Sequence, residues 1–308
     1  MAKGAARTFG QDLMRGEHTV GGGKLSALVD PKSVRAGTFQ GGAPDTVRDA
    51  GFYARKRSAE EQAGRALSVD EFRALEPAGD EETASGTSIF DPVLTELAYR
   101  WFCPPGGVIL DPFAGGSVRG IVAAVLGYQY TGVELRPEQV AANRAQAAAI
   151  CPDAPPVWLT GDSAAVLPGC GVAADFAFSC PPYGDLEIYS DFAEDLSAMP
   201  HAAFLESYRE IIALTCAQLK PDRFAAFVVG DFRCKKGFYR NFVGETVAAF
   251  EAAGARYYNE AILVTAVGSL PIRVGKQFAA GRKLGKTHQN MLVFCNGDPK
   301  KAVAAFSA

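Results

Sequence analysis

From residue 89 onward the chain alternates short apolar runs with longer amphipathic stretches, the rhythm of strands and helices taking turns in an α/β fold. Buried strands are predicted at 108–110, 130–133, 157–159, 176–178 and 224–229, where the apolar runs are too short for helices and end at polar or turn-forming residues. Helices are predicted at 118–126, 138–150, 203–219 and 242–253. Two further strands fall around 261–267 and 290–294, and no helix is expected between them. Parallel strands need a long crossover, whereas strands joined by a loop can pair antiparallel. The expectation is therefore an α/β fold with a seven-stranded, mostly parallel sheet carrying one antiparallel strand near its end.

Residues 1–86 break this rhythm. They are rich in charge and glycine, with Gly21-Gly22-Gly23 and Gly41-Gly42, and they read as an N-terminal arm or cap. Within them Ser68-Val69-Asp70-Glu71 fits a capping box, which predicts a short helix through Phe72 and Leu75. Arg55-Lys56-Arg57 reads either as a phosphate contact or as a solvated helix face.

Composition narrows the class. With 308 residues, 48% of them hydrophobic, the chain can bury a sizeable core, which excludes a disordered or fibrous protein. No window approaches the roughly eighteen uninterrupted apolar residues of a membrane span, and the first residues lack an apolar signal core. A soluble, intracellular protein without a membrane partner is expected. The 7 cysteines are scattered without a Cys-x-x-Cys pair, so neither a disulfide framework nor a metal site is expected. A net charge of −3 argues against a chain held on nucleic acid by bulk charge, so basic patches must be sought segment by segment.

The first strand runs into Asp111-Pro112-Phe113-Ala114-Gly115-Gly116-Ser117, which opens a helix at the place where an open α/β sheet binds its ligand. Glycines there let backbone amides approach a ligand closely, and an acid at the strand end can meet a cationic or hydroxyl-bearing group. The next carboxylate, Glu134, follows after 134 − 111 = 23 residues, near the roughly 20 expected when a second strand delivers an acid to ribose hydroxyls. A third polar strand end, Gly161-Asp162-Ser163, puts a carboxylate within reach of an adenine amino group. Taken singly, each is equally a helix cap or a turn. In order, they describe an adenosyl pocket. A nicotinamide dinucleotide would call for the Gly-x-Gly-x-x-Gly fingerprint, which is absent.

Asp111 to Ser117 resembles the cofactor motif of DNA amino-methyltransferases, Asp-Pro-Phe-x-Gly-x followed by Gly or Ser. Ser179-Cys180-Pro181-Pro182-Tyr183 resembles their catalytic motif, in which Asp, Asn or Ser precedes Pro-Pro and an aromatic residue. The stretch Thr87-Ser88-Ile89-Phe90-Asp91-Pro92 looks like the family segment at the methionine end of the cofactor, which gives the gamma order of motifs. The resemblance covers roughly residues 88–298, and the chain also looks like modification methylases carried by bacteriophages. It implies a Rossmann-like class I methyltransferase domain over residues 87–308, S-adenosyl-L-methionine as cofactor, DNA as partner and a cytoplasmic location in a bacterial cell or phage-infected host. The cofactor residues it implies are Ser88, Phe90, Asp91, Asp111, Phe113, Ala114, Gly115, Gly116, Glu134, Asp162 and Ser163. The activity it implies is methyl transfer to adenine N6 or cytosine N4 of a flipped-out base.

An exocyclic amine is a poor nucleophile because its lone pair is delocalised into the ring. In the family motif a side chain and the first proline carbonyl accept the two amine protons, while the aromatic residue stacks on the base. Here Pro181 and Tyr183 keep their places, but Cys180, a weak acceptor, stands immediately before Pro-Pro. Either Ser179 or the Cys180 carbonyl takes the acceptor role, or Cys180 is a structural thiol, or it is a nucleophile for carbon-5 methylation of cytosine. The same scaffold also fits an RNA methyltransferase or a catalytically silenced DNA-binding relative. Asp185, Glu187 and Asp231 read as loop or strand-end acids.

Two segments could carry nucleic acid. Arg273, Lys276, Arg282, Lys283, Lys286 and His288 lie between the final two strands with no acid among residues 271–288, and Lys235, Lys236 and Arg240 are interleaved with Phe238 and Tyr239. Both fit solvated surface loops as well. No target-recognition domain separates the motifs, so sequence specificity is expected from the arm, the loops or a partner.

Overall fold

A computed structural model of the protein describes residues 90–184, 190, 192–264 and 270–306. The expected arm at 1–86 with its capping box and basic triplet, Ser88, and the loop acids Asp185 and Glu187 lie outside the described residues, as does the side chain of Arg273.

The chain enters through helix α1 (Pro92–Phe102), which Asp91 caps by accepting the Val93 and Leu94 amides at 2.8 and 3.3 Å. Then follow β1 (Val108–Asp111), α2 (Val118–Val125), β2 (Gln129–Glu134), α3 (Pro137–Ile150), β3 (Val157–Thr160), α4 (Ser163–Val166) and β4 (Ala174–Ser179). The second half runs α5 (His201–Gln218), β5 (Leu219–Val229), α6 (Phe242–Ala252), β6 (Arg256–Val264), α7 (Leu270–Gly281), β7 (His288–Asn296) and α8 (Pro299–Ala304). The strands form one sheet in the order β3-β2-β1-β4-β5-β7-β6, in which β7 alone runs against its neighbours. This is the α/β, Rossmann-like architecture with a seven-stranded, mostly parallel sheet and one antiparallel strand expected from the sequence.

Alternation along the central strands explains why they read as unbroken apolar runs. Ile109, Phe176, Phe178, Phe224, Ala226 and Val228 pack on one face with Tyr99 of α1, Val122 of α2 and Val140 of α3. Leu110, Ala177, Ala225, Phe227 and Val229 pack on the other with Tyr208 of α5 and Phe250 of α6. A strand covered by helices on both sides has no solvent face to mark with polar residues.

The structure departs from the sequence reading most in three places. A helix, α7, does stand between β6 and β7, contrary to the loop expected there. Gly275, Gly281 and the density of cations disguised it, and the antiparallel β6–β7 pairing holds across it from Arg256↔Cys295 to Val264↔His288. Strand β6 starts at Arg256 rather than near 261, because this edge strand is largely exposed and tolerates Tyr, Asn and Glu. Strand β5 reaches back to Leu219, where Asp175 of β4 holds Lys220 at 2.8 Å and Arg223 at 3.0 Å and also accepts the Val108 amide of β1.

Candidate active site

The order of the sheet reverses between β1 and β4, so the loops after their carboxyl ends diverge and open a crevice. Both sequence motifs sit there. The buried Asp111 carboxylate ends β1 with its oxygens fully engaged: Oδ2 accepts Arg119 Nε at 2.6 Å and the Tyr130 hydroxyl at 2.8 Å. Oδ1 accepts the Ser179 hydroxyl at 2.6 Å and the Phe113 amide at 3.2 Å. Arg119 donates further to the Phe113 and Ala114 carbonyls at 2.6 and 2.9 Å, and its guanidinium lies 4.6 Å from the centre of the Phe90 ring. Burial works against the Arg119 charge, but the adjoining Asp111 carboxylate overrides it and holds the guanidinium above its ordinary pKa. Burial, and then the same carboxylate, push the Tyr130 hydroxyl well above its ordinary value. A buried ion pair tolerates its site only when hydrogen bonds meet its polar atoms, and here both Asp111 oxygens and the Arg119 Nε and Nη2 atoms are met.

The rest of the loop is held from β2 and α3. Glu134 accepts the Gly115 amide at 2.9 Å through one oxygen and the Arg136 amide at 3.1 Å through the other. Asn143 donates to the Gly115 carbonyl at 2.8 Å, Ala114 pairs with the Val133 carbonyl, and Ser117 is bonded to Gln146. Gly115 has φ +53°, a conformation that favours glycine, and a Cβ at either Gly115 or Gly116 would meet no heavy atom within 4 Å. Open space over two glycines beside a strand-end carboxylate is the cradle an adenosyl ligand needs. At the next strand end Asp162 caps α4 by accepting the Ala164 amide at 3.1 Å, and the Ser163 hydroxyl is bonded to the Pro112 carbonyl. Phe113 packs on Tyr208 and Phe227, and Phe90 meets Phe178 edge-on at 5.7 Å.

The second motif leaves β4 directly. Ser179 is buried with its hydroxyl committed to Asp111, Cys180 is partly buried against the core face that includes Phe178, and Pro181 is buried. The Tyr183 ring stands edge-on to Phe242 at 5.9 Å and 6.3 Å from Phe232, and its hydroxyl accepts Gln289 Nε2 at 2.5 Å. Asp231, at the end of β5, accepts the Val243 amide at 3.1 Å.

The two basic segments converge. Residues 232–240 form a hairpin in which Arg233 bridges Tyr239, donates to the Gly237 carbonyl at 2.8 Å and lies 3.8 Å over the Tyr239 ring. Lys283 crosses this hairpin so closely that a Cβ at Gly237 would sit 2.7 Å from its Cε. Lys286 Nζ lies 3.8 Å from the Cβ position of Gly230, beside Gln289, and burial lowers its pKa against the pull of Asp231. Lys235, Lys236, Lys276 and Arg282 are exposed, and Phe238 at the hairpin tip is 72% exposed.

Sequence reasoning missed Arg119, Tyr130, Phe242 and Gln289. A lone cation in the apolar helix of residues 118–125 was a visible sign for Arg119; Gln289 had none, because only the sheet brings residue 289 to residue 183. Among the described residues no helix is long and apolar enough to cross a membrane, and no group of three or more His, Cys, Asp or Glu could hold a metal.

No family model and no curated protein matches the chain. Solved structures similar to it include TrmN from Thermus thermophilus, at 15% identity and a TM-score of 0.46 over 69% of this chain and 51% of that one. The chain therefore spans about half the length of that structure. Magnesium protoporphyrin IX methyltransferase from Synechocystis, with SAM bound, is similar at 13% identity and 0.43 over 67% and 79%. A TehB-like SAM-dependent methyltransferase from Corynebacterium glutamicum is similar at 15% identity and 0.42 over 78% and 99%.

Proposed function

We propose that the protein is an S-adenosylmethionine-dependent methyltransferase acting on an exocyclic amino nitrogen of a DNA base, adenine N6 or cytosine N4. The observation that carries this reading is the 2.6 Å bond between Ser179 and Asp111, which ties the last strand residue before Cys180-Pro181-Pro182-Tyr183 to the start of the glycine loop. Two motifs that lie far apart along the chain thus line one crevice.

The cofactor, when bound, supplies a methyl group on a sulfonium. On this reading Glu134 meets the ribose, Asp162 the adenine, and Phe90 and Asp91 flank the methionine end. Gly115 and Gly116 admit the ligand, while Asp111 acts through its protein partners by fixing the loop that carries Phe113 and Ala114. The Pro181 carbonyl accepts one amine proton, and Tyr183 offers its ring to a base flipped from the duplex, a step that costs a few kcal/mol. Lys235, Lys236, Lys283 and Lys286 track the phosphates, with Lys276 of α7 and Arg282 just past its end extending that track.

Incubating the protein with methyl-labelled cofactor and unmethylated genomic DNA, then identifying the labelled nucleoside by mass spectrometry, tests this. Label on N6-methyladenine or N4-methylcytosine is expected and settles which base is used. Label on 5-methylcytosine would make Cys180 a nucleophile, and label appearing only on RNA would replace the substrate class.

A further inference from the structure

With Ser179 turned to Asp111 and a thiol at position 180, the catalytic loop lacks the side-chain oxygen that an amine-activating site calls for. The missing acceptor is found across the sheet. Because β7 runs against β5, pairing Val229 with Asn290, the first residues of β7 lie at the carboxyl end of the parallel strands. Gln289 is the second of them. Its Nε2 donates to the Tyr183 hydroxyl at 2.5 Å, while its Oε1, in a residue only 8% exposed, has no hydrogen-bond partner among the described residues. A buried amide oxygen without a donor is uncommon in a folded protein and points to a ligand. The amide is anchored through its nitrogen to the ring proposed to stack on the base, so the oxygen is held beside that ring.

We infer that Gln289 is a catalytic residue whose Oε1 accepts one proton of the target amino group, supplying from β7 the acceptor absent from position 180. This inference rests on the proposed amino methylation. With Gln289 Oε1 on one amine proton and the Pro181 carbonyl on the other, the nitrogen is drawn toward tetrahedral geometry and its lone pair is freed from the ring. That pair forms the N–C bond to the methyl carbon as the C–S bond breaks, its electrons passing to sulfur. One N–H proton of the resulting ammonium then leaves to water.

The test is single-turnover transfer of labelled methyl to unmethylated genomic DNA by the wild type, Gln289→Leu and Gln289→Glu, with cofactor affinity measured by calorimetry for each. Gln289→Leu removes the acceptor, and the transfer rate is expected to fall about a hundredfold with cofactor affinity unchanged. Gln289→Glu keeps an oxygen in place and should stay within about tenfold of the wild type. A role limited to holding Tyr183 is separated by repeating Gln289→Leu in a Tyr183→Phe background, where the hydroxyl is already gone. A loss of similar size there supports direct contact with the substrate. The inference is overturned if Gln289→Leu costs nothing in that background, or if Gln289→Glu is as slow as Gln289→Leu. Wild-type label on a DNA amine with full activity in Gln289→Leu would sink the role of Gln289 alone; absence of label on any DNA amine from the wild type would sink the substrate reading and this inference with it.

Discussion

Arg119 and Asp111 meet inside the protein, where neither charge has water to fall back on. Arg119→Met strands the carboxylate with only the Tyr130 and Ser179 hydroxyls and the Phe113 amide, and should cost about 3–5 kcal/mol of stability in urea denaturation. Asp111→Asn combined with Arg119→Met should cost clearly less than the two single losses added, because each single change leaves its partner uncompensated. Simple additivity in that cycle would mean that the pair is not coupled as its geometry indicates. The same locality explains why residue identities were informative but incomplete. Asp111 and Glu134 were legible as strand-end acids, yet whether a carboxylate faces ligand or protein depends on the donors that surround it, and those come from α2, β2 and β4.

At the scale of elements, close packing sets what each helix tolerates. Gly120 lies in the first turn of α2, where alanine would ordinarily gain up to about 1 kcal/mol of helix propensity. A Cβ there would stand 2.5 Å from Cζ2 of the Trp158 ring on β3, so Gly120→Ala is expected instead to destabilise by about 1–3 kcal/mol, seen as a lower Tm. A second element-level prediction concerns the junction of β1, β4 and β5 at Asp175. Burial works to raise its pKa, but hydrogen bonds from Lys220, the Val108 amide and Arg223 outweigh that and leave it below the ordinary carboxylate value. Stability from a depressed carboxylate is present above its unfolded pKa, about 4, and is lost as pH falls through the folded value. Asp175→Asn should therefore be less stable than the wild type at neutral pH, and the gap between their urea midpoints should close as pH drops below about 4. A gap independent of pH would assign the loss to packing. Helix α7 belongs to this scale too: its cations and glycines gave the pattern of a loop, although its backbone is helical.

For the whole molecule, the formal charge of −3 conceals a local concentration of cations where the 232–240 hairpin meets Lys283 and Lys286 beside Tyr183. Lys283→Glu should weaken DNA binding across sequences and flatten the dependence of log affinity on log salt by about one unit or more, measured by fluorescence anisotropy over a salt series. An unchanged slope would remove these cations from the phosphate track. The amino-acid sequence by itself determined the alternation of strands and helices and the polar turns that end β1, β2 and β4, because each depends on periodicity and turn chemistry within a few residues. The reversed strand was expected from a helix-free link, but α7 occupies that link and only the assembled sheet sets the direction of β7. Tertiary structure alone decided that Ser179 turns to Asp111, that Arg119 ties the glycine loop together and that Gln289 reaches Tyr183. Those contacts join residues separated by up to 106 positions, and the order and direction of strands in the sheet, which no local pattern encodes, bring them within hydrogen-bond reach.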